Sequence, residues 1–202
     1  MYYTRISKKF FCLLILLLFS GCATLFGWNI HAPGLLSNKF YTEVNSFDSR
    51  IALYIPQHLT TFISEDKGGT LADPQTYYVG EAFSPMLLES FQHTFSEFVF
   101  MEVDPTAQIL AQYDIPYIVV IDVREFHNKV TLKGQVVSVV TEVWVLNTEL
   151  NLVRHLEVTG TSDAQKVFAK KGGPEVNMNA AIEQNIRLTI EYLHDFLREA
   201  YK

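Results

Sequence analysis

Two β-rich runs lie almost back to back beyond the midpoint of this 202-residue chain, and they limit its fold more than any other feature. YIVVIDVREF at 117–126 and QVVSVVTEVWVL at 135–146 are built from β-branched and aromatic residues, which suit a pleated, half-buried surface. Asn128 to Gly134 reads as the turn between them, and Asn147 to Asn151 turns again into LVRHLEVTGTS. Three successive strands of this kind predict an antiparallel meander. The first half of 117–126 is apolar on both faces and the second half is polar, as in a central strand that emerges from the core at one end. Gln135 to Leu146 carries one charge, Glu142, and Val on both faces, so it belongs inside the sheet.

Upstream, RIALYI at Arg50–Ile55 alternates and ends at Pro56, which cannot donate to a ladder, so it reads as the first strand. Leu59 to Ser64 reads as a second short strand and 65–70 as a turn-rich loop. Ser84 suits an N-cap with Pro85 in the first turn, where its missing N–H costs nothing. Leu87, Leu88, Phe91, Phe95 and Phe98 then follow at spacings of three and four and predict an amphipathic helix. A short strand near Phe98–Val103, one helical turn toward Leu110 and a basic loop at 163–174 come next. The last helix, from about Asn177 to Ala200, stacks Ile182, Ile186, Ile190, Leu193 and Leu197. The expected class is α+β, a mixed or mainly antiparallel sheet with two amphipathic helices packed mainly on one face. Arg50–Ile55, Phe98–Val103 and Leu152–Thr159 are the candidate edge strands, and the last carries Arg154, His155 and Glu157 against indiscriminate pairing.

The chain opens on MYYTRISKK, with Arg5, Lys8, Lys9 and no acidic residue, and runs into the apolar block FFCLLILLLF. That order is a signal peptide, because ten apolar residues in a helix span about 15 Å, half of a bilayer core. Phe19-Ser20-Gly21-Cys22 resembles the lipobox of bacterial lipoproteins, with Phe19 where Leu is usual. The resemblance implies a diacylglycerol on the Cys22 thiol, cleavage before it and acylation of the new terminus, an anchorage by more than one chain that is effectively stable. Ala23 in place of an acidic residue implies the periplasmic face of the outer membrane. The resulting division is 1–21 signal peptide, 22–49 lipidated cysteine and tether, and 50–202 a single periplasmic α+β domain. Leu25, Phe26 and Trp28 offer the tether an alternative resting place in the membrane interface.

Beyond residue 21 the chain keeps 13 basic and 22 acidic residues, a net charge of −9 that disfavours nucleic acid and anionic lipid surfaces as partners. Cys12 falls inside the apolar block, so Cys22 is the single cysteine after it and neither a disulfide nor a cysteine metal site is available. The six histidines, His31, His58, His93, His127, His155 and His194, hold no i, i+4 pair and no HExxH motif, so no metal or other cofactor is expected. His93 with Glu89 and His194 with Glu191 read as solvated helix-surface pairs. No strained nucleophile turn occurs, and GEAF and KGGP lack phosphate-loop spacing. Asp122 and Glu125 sit near a strand end as a conceivable acid–base pair, but an Asp122–Arg124 ion pair on one strand face explains them more simply. No catalytic residue is assigned.

RIALYIP, YYVGEAFSPMLLESF, DIPYIVVIDV and LNLVRHLEVTGTS together resemble the ABC-type transport auxiliary lipoproteins, whose domain is TolB-N-like or anticodon-binding-like. The likeness covers Arg50 to Lys202 and implies a non-catalytic accessory or assembly role beside an envelope transporter or secretion machine. A periplasmic lipid- or glycan-binding carrier is the alternative, to be recognised by an apolar cavity between helices and sheet. An envelope hydrolase is the third reading. The membrane, reached through Cys22, and envelope transport proteins are the expected partners, and self-association stays open.

Overall fold

The structure, a computed structural model, describes residues 27–68, 73–131, 134–162 and 173–202. In chain order its elements are β1 Trp28–Ile30, α1 Asn38–Glu43, β2 Phe47–Tyr54, α2 Gln57–Thr60, β3 Ser64–Asp66, β4 Gln75–Tyr77, α3 Val79–Thr94 and β5 Phe95–Met101. They continue as α4 Ala107–Gln112, β6 Tyr117–Thr131, β7 Gly134–Asn147, β8 Leu152–Thr161 and α5 Pro174–Ala200. Cys22 and the signal peptide lie outside the described residues, as does 163–172, most of the expected basic loop.

A five-stranded sheet in the order β5-β2-β6-β7-β8 carries the fold, and the class is α+β as the sequence predicts. The meander forms: β6 to β7 and β7 to β8 are antiparallel. β6 runs on to Thr131, however, so most of the expected turn at Asn128–Gly134 is strand. Asn128, Val130 and Thr131 there sit opposite Val137, Gln135 and Gly134, and this pairing extends the ladder over residues whose composition suggests a loop.

β2 is not an edge. It runs parallel to both β5 and β6, and Ile51, Ala52 and Leu53 are all fully buried. A strand covered on both faces needs a continuous apolar run, which the bracketing Arg50 and Tyr54 disguise as alternation. Ile51 and Leu53 join the main core under α3 and α5, whereas Ala52 joins a smaller core with Met101, Leu110, Ile115 and Ile118 beneath α4.

Helix α3 starts at Val79, five residues before the expected Ser84 cap, and Pro85 stands inside it. A proline there forfeits one backbone bond at a cost of about 3 kcal/mol. Burying Val79 and Phe83 completely returns about 1.5–3 kcal/mol each and offsets that loss. Gly80 has a packing reason, since a Cβ on it would stand 2.1 Å from the Leu59 carbonyl oxygen at α2. Leu59–Ser64, expected as strand, supplies that helical turn and only the first residue of β3.

Residues expected in the tether fold onto the domain from β1 onward. β1 pairs parallel with β4, and β4 antiparallel with β3, in a second, three-stranded sheet. Ile30 and Phe40 are each 1% exposed. A buried polar cluster ties this small sheet to the far end of the β6–β7 hairpin. Gln135 Nε2 donates to Tyr77 Oη and Asn128 Oδ1 at 2.7 Å each, Asn128 Nδ2 donates to Asp66 and Gln75, and Asn177 of α5 donates to Gln135 Oε1 at 3.3 Å. Burial first, then the Asp66 charge, raises the Tyr77 hydroxyl above the ordinary tyrosine range, so it stays a neutral donor.

Helix α5 presses on β7 and β8 so closely that a Cβ at Gly160 would lie 2.3 Å from the Ala181 carbonyl oxygen. Gly160→Ala should therefore cost about 1–3 kcal/mol through overpacking. Phe91→Ala, at a fully buried ring, should cost about 3–5 kcal/mol. Val103→Ala, at a residue 63% exposed, should stay within about 0.5 kcal/mol. Urea unfolding of the three variants checks the order, and equal losses at Val103 and Phe91 would contradict this packing.

Candidate functional site

Alternation along β7 creates two unlike faces. Val137, Val139, Thr141, Val143 and Val145 are fully buried toward α3 and α5, whereas Val136, Ser138, Val140, Glu142, Trp144 and Leu146 on the outer face are only half buried. α4 covers the outer face at the end that holds Ile118 and Leu146, and among the described residues the rest of that face of β6, β7 and β8 is open to solvent.

Charged side chains gather on that open face. Arg124 Nη1 donates to Glu142 at 3.1 Å on β7 and to Glu157 at 2.8 Å on β8, so one guanidinium spans three strands. A register shift between Val123 and Glu125 falls at Arg124, and a bulge of this kind re-aims a side chain. His155 stacks on Trp144 with centroids 5.5 Å apart and lies 3.6 Å from Glu142. Asp122 is 2.8 Å from His58 of α2 and does not pair with Arg124 as the sequence suggests, because the two point to separate clusters across the bulge. Glu125 goes to His127 at 2.8 Å, so Asp122 and Glu125 each face a different histidine.

The other histidines also stand apart. His31 stacks on Tyr78 at 4.1 Å and bonds Glu81 at 2.8 Å. His93 meets Tyr41 edge-on rather than pairing with Glu89, because the Glu89 carboxylate accepts from the Tyr41 hydroxyl. That bond, with burial and nearby acidic charge, pushes the Tyr41 hydroxyl up to about 12. Among the described residues no three His, Cys, Asp or Glu side chains converge as a metal set would.

His194 departs furthest from its expected surface pairing with Glu191. It is 8% exposed, stacks on Phe47 at 5.1 Å, meets Phe95 edge-on at 6.0 Å, and its Nε2 is buried without a hydrogen-bond partner. Beside it lies a shallow cleft of about 310 Å³ bounded by Glu43 and Asn45 of the α1 side and by Glu191, Asp195 and Arg198 of α5. Burial first, then the Arg198 charge, lowers the affinity of His194 for a proton, against a smaller opposite effect of Asp195.

The space between the helices and the sheet is filled. Phe83, Met86, Leu87, Phe91, Ile186 and Leu193 are all fully buried there, which is packed core rather than the roomy groove a carrier needs. No described helix is long and apolar enough to cross a membrane.

No protein-family profile matches the chain, and no curated relative does. Among solved structures, the hypothetical protein CT253 of Chlamydia trachomatis superposes with a TM-score of 0.45 at 10% identity, over 73% of this chain and 96% of that one. A candidate lipoprotein of Caulobacter crescentus gives 0.37 at 14% identity, over 60% and 85%. Lipoprotein GNA1162 of Neisseria meningitidis gives 0.34 at 7% identity, over 75% and 99%. At these scores and identities no function passes from those proteins to this chain.

A His194 pKa depressed in the folded state means that the unfolded chain binds the proton more readily. Its contribution to stability is therefore whole above the unfolded value of about 6.5 and is lost as pH falls through that value toward the lower, folded one. Thermal unfolding of wild type should lose more stability between pH 7.5 and 5.5 than that of His194→Leu, which keeps the apolar stack but cannot titrate. Identical pH dependence in both would show that His194 is not buried as a neutral ring.

Proposed function

We propose that this chain is a lipid-anchored envelope lipoprotein, modified on Cys22 and held at the periplasmic face of the outer membrane, whose domain serves without catalysis as an accessory of a transport or secretion machine. The sequence order carries this reading: three basic residues, a ten-residue apolar block too short to span, the lipobox Phe19–Cys22, and Ala23 after it. β1 begins only six residues beyond Cys22. Six residues extend at most about 20 Å, so an anchor there keeps the domain against the bilayer rather than on a long tether. Trp28 and Leu35, each more than 60% exposed, lie on this near part of the chain and suit contact with the interface.

The open face of β6, β7 and β8 is the surface such a role would use. It joins the apolar Val136 and Val140 to Trp144 and a charge cluster centred on Arg124, a mixture that fits a specific protein contact better than a lipid one. Histidines and carboxylates are dispersed among separate partners, which supports the non-catalytic reading without deciding it.

Metabolic labelling with a palmitate analogue should tag the wild-type protein, and Cys22→Ser should lose the tag, the size change of cleavage and the firm membrane association. A labelled Cys22→Ser protein would overturn the anchor. Turnover of ester or glycoside substrates that depends on Asp122, Glu125 or a histidine would overturn the non-catalytic role.

A further inference from the structure

Strand β8 closes the five-stranded sheet and, among the described residues, pairs on one side alone, with β7. The Ser162 N–H donates toward β7, to the Val137 carbonyl at 2.8 Å, whereas the Thr161 N–H turns away from the sheet and donates to Gln184 Oε1 of α5. Strand period then aims the backbone groups of His155, Glu157 and Thr159 off the edge as well. A bulge at Val153 bounds this free stretch at its start, and the Gln184 contact bounds it at its end.

The flanks of this edge are apolar. Leu152 and Val153 are 57% and 44% exposed at the start of β8. On α5, Gln184, Leu188 and Tyr192 follow at spacings of four, and because Gln184 reaches Thr161 this row lies on the side of the free edge. Tyr192 is half exposed. α5 passes Gly160 at Ala181 and Asn185 and passes Arg154 at Glu199, so Leu188 and Tyr192 stand over the middle of β8.

We infer that a second copy of this chain completes the edge, β8 against β8, antiparallel about a twofold axis at Leu156. Charge selects that register. An axis at Leu156 sets His155 of each copy directly opposite Glu157 of the other, twice, on the outer face and as hydrogen-bonded backbone pairs. An axis at Glu157 opposes two carboxylates, one at Arg154 opposes two guanidinium groups, and one at His155 opposes two imidazoles. An axis at Val158 pairs Glu157 with uncharged Thr159. The union is a continuous sheet of ten strands with both α5 helices side by side on one face. On the other face, Glu157 already accepts from Arg124 and His155 lies near Glu142, so the Arg124 clusters of the two copies join into one polar band. Pairing at the edge leaves the open face free, and it is independent of lipid on Cys22.

The test uses the full chain with Cys12→Ser and Cys22→Ser, so that introduced thiols are its only ones, extracted in mild detergent and oxidised gently. Residues opposed on the axis at a non-hydrogen-bonded position have Cα atoms about 4.5 Å apart, within disulfide range, so Leu156→Cys should become a covalent dimer. Thr159→Cys, about 20 Å from its copy in this register, should stay monomeric on the same gel. Because Leu156 is half buried, a second pair of variants leaves packing alone: Glu157→Lys should weaken self-association about tenfold in sedimentation velocity, and adding His155→Glu should restore it. A monomer at every accessible concentration overturns the proposal, as does a dimer linked through Thr159→Cys or one indifferent to both charge changes.

Discussion

Asn185 sits where helix α5 comes closest to the sheet, and its amide donates to the Val139 and Val158 carbonyls at 3.1 and 2.9 Å while Thr141 Oγ1 donates to its oxygen at 3.0 Å. One polar side chain thus stitches a helix to two strands in a region that is otherwise apolar, and it does so beside Gly160, the position on β8 where a side chain would collide with the helix backbone. A buried amide with all these partners is satisfied rather than costly, and it fixes how far along the sheet the helix can slide. The stripe from Ile182 to Leu197 then meets the inner Val residues of β7 in a single register. The same contact decides which face of the sheet is closed and which is left open.

A second polar anchor acts at the other end of α5. Asn177, Gln135, Asn128, Tyr77 and Asp66 link helix, hairpin and small sheet through hydrogen bonds between buried or half-buried groups. Without that cluster the three short strands near the N-terminal part would have little to hold them, since a sheet of three-residue strands is marginal by itself. Residues 28–46 become part of the domain for this reason, with Ile30 and Phe40 sealing the core that α3 also caps.

The unlike faces of the sheet separate structural from available chemistry. Inside, His194 sits among aromatic rings, and burial lowers its affinity for a proton. Outside, Arg124 holds two carboxylates from two other strands where water still reaches all three, an arrangement of modest worth to stability but of high directional content. Under the anchorage proposed at Cys22, partners would be met in two dimensions, and an open sheet face with a fixed charge pattern is suited to recognition there.

Much of the architecture was legible in the amino acids because periodicity is local: the meander, both long helices and the buried stripe on α5 follow from spacings of two and of three to four. The leader and the lipobox ending at Cys22 are read from sequence alone and lie outside the described residues. Tertiary structure decided the rest. β2 lies inside the sheet because its neighbours come from β5 and β6, far along the chain, and no pattern within RIALYI announces parallel partners on both sides. α3 begins before Ser84 because contact with α2 rewards an early start. Arg124 meets Glu142 and Glu157, and Asp122 meets His58, because strand register and a bulge bring together residues separated by 15 or more positions. Local sequence sets the elements and their apolar faces. Which polar groups end as neighbours depends on long-range pairing, and that is fixed only when the core closes.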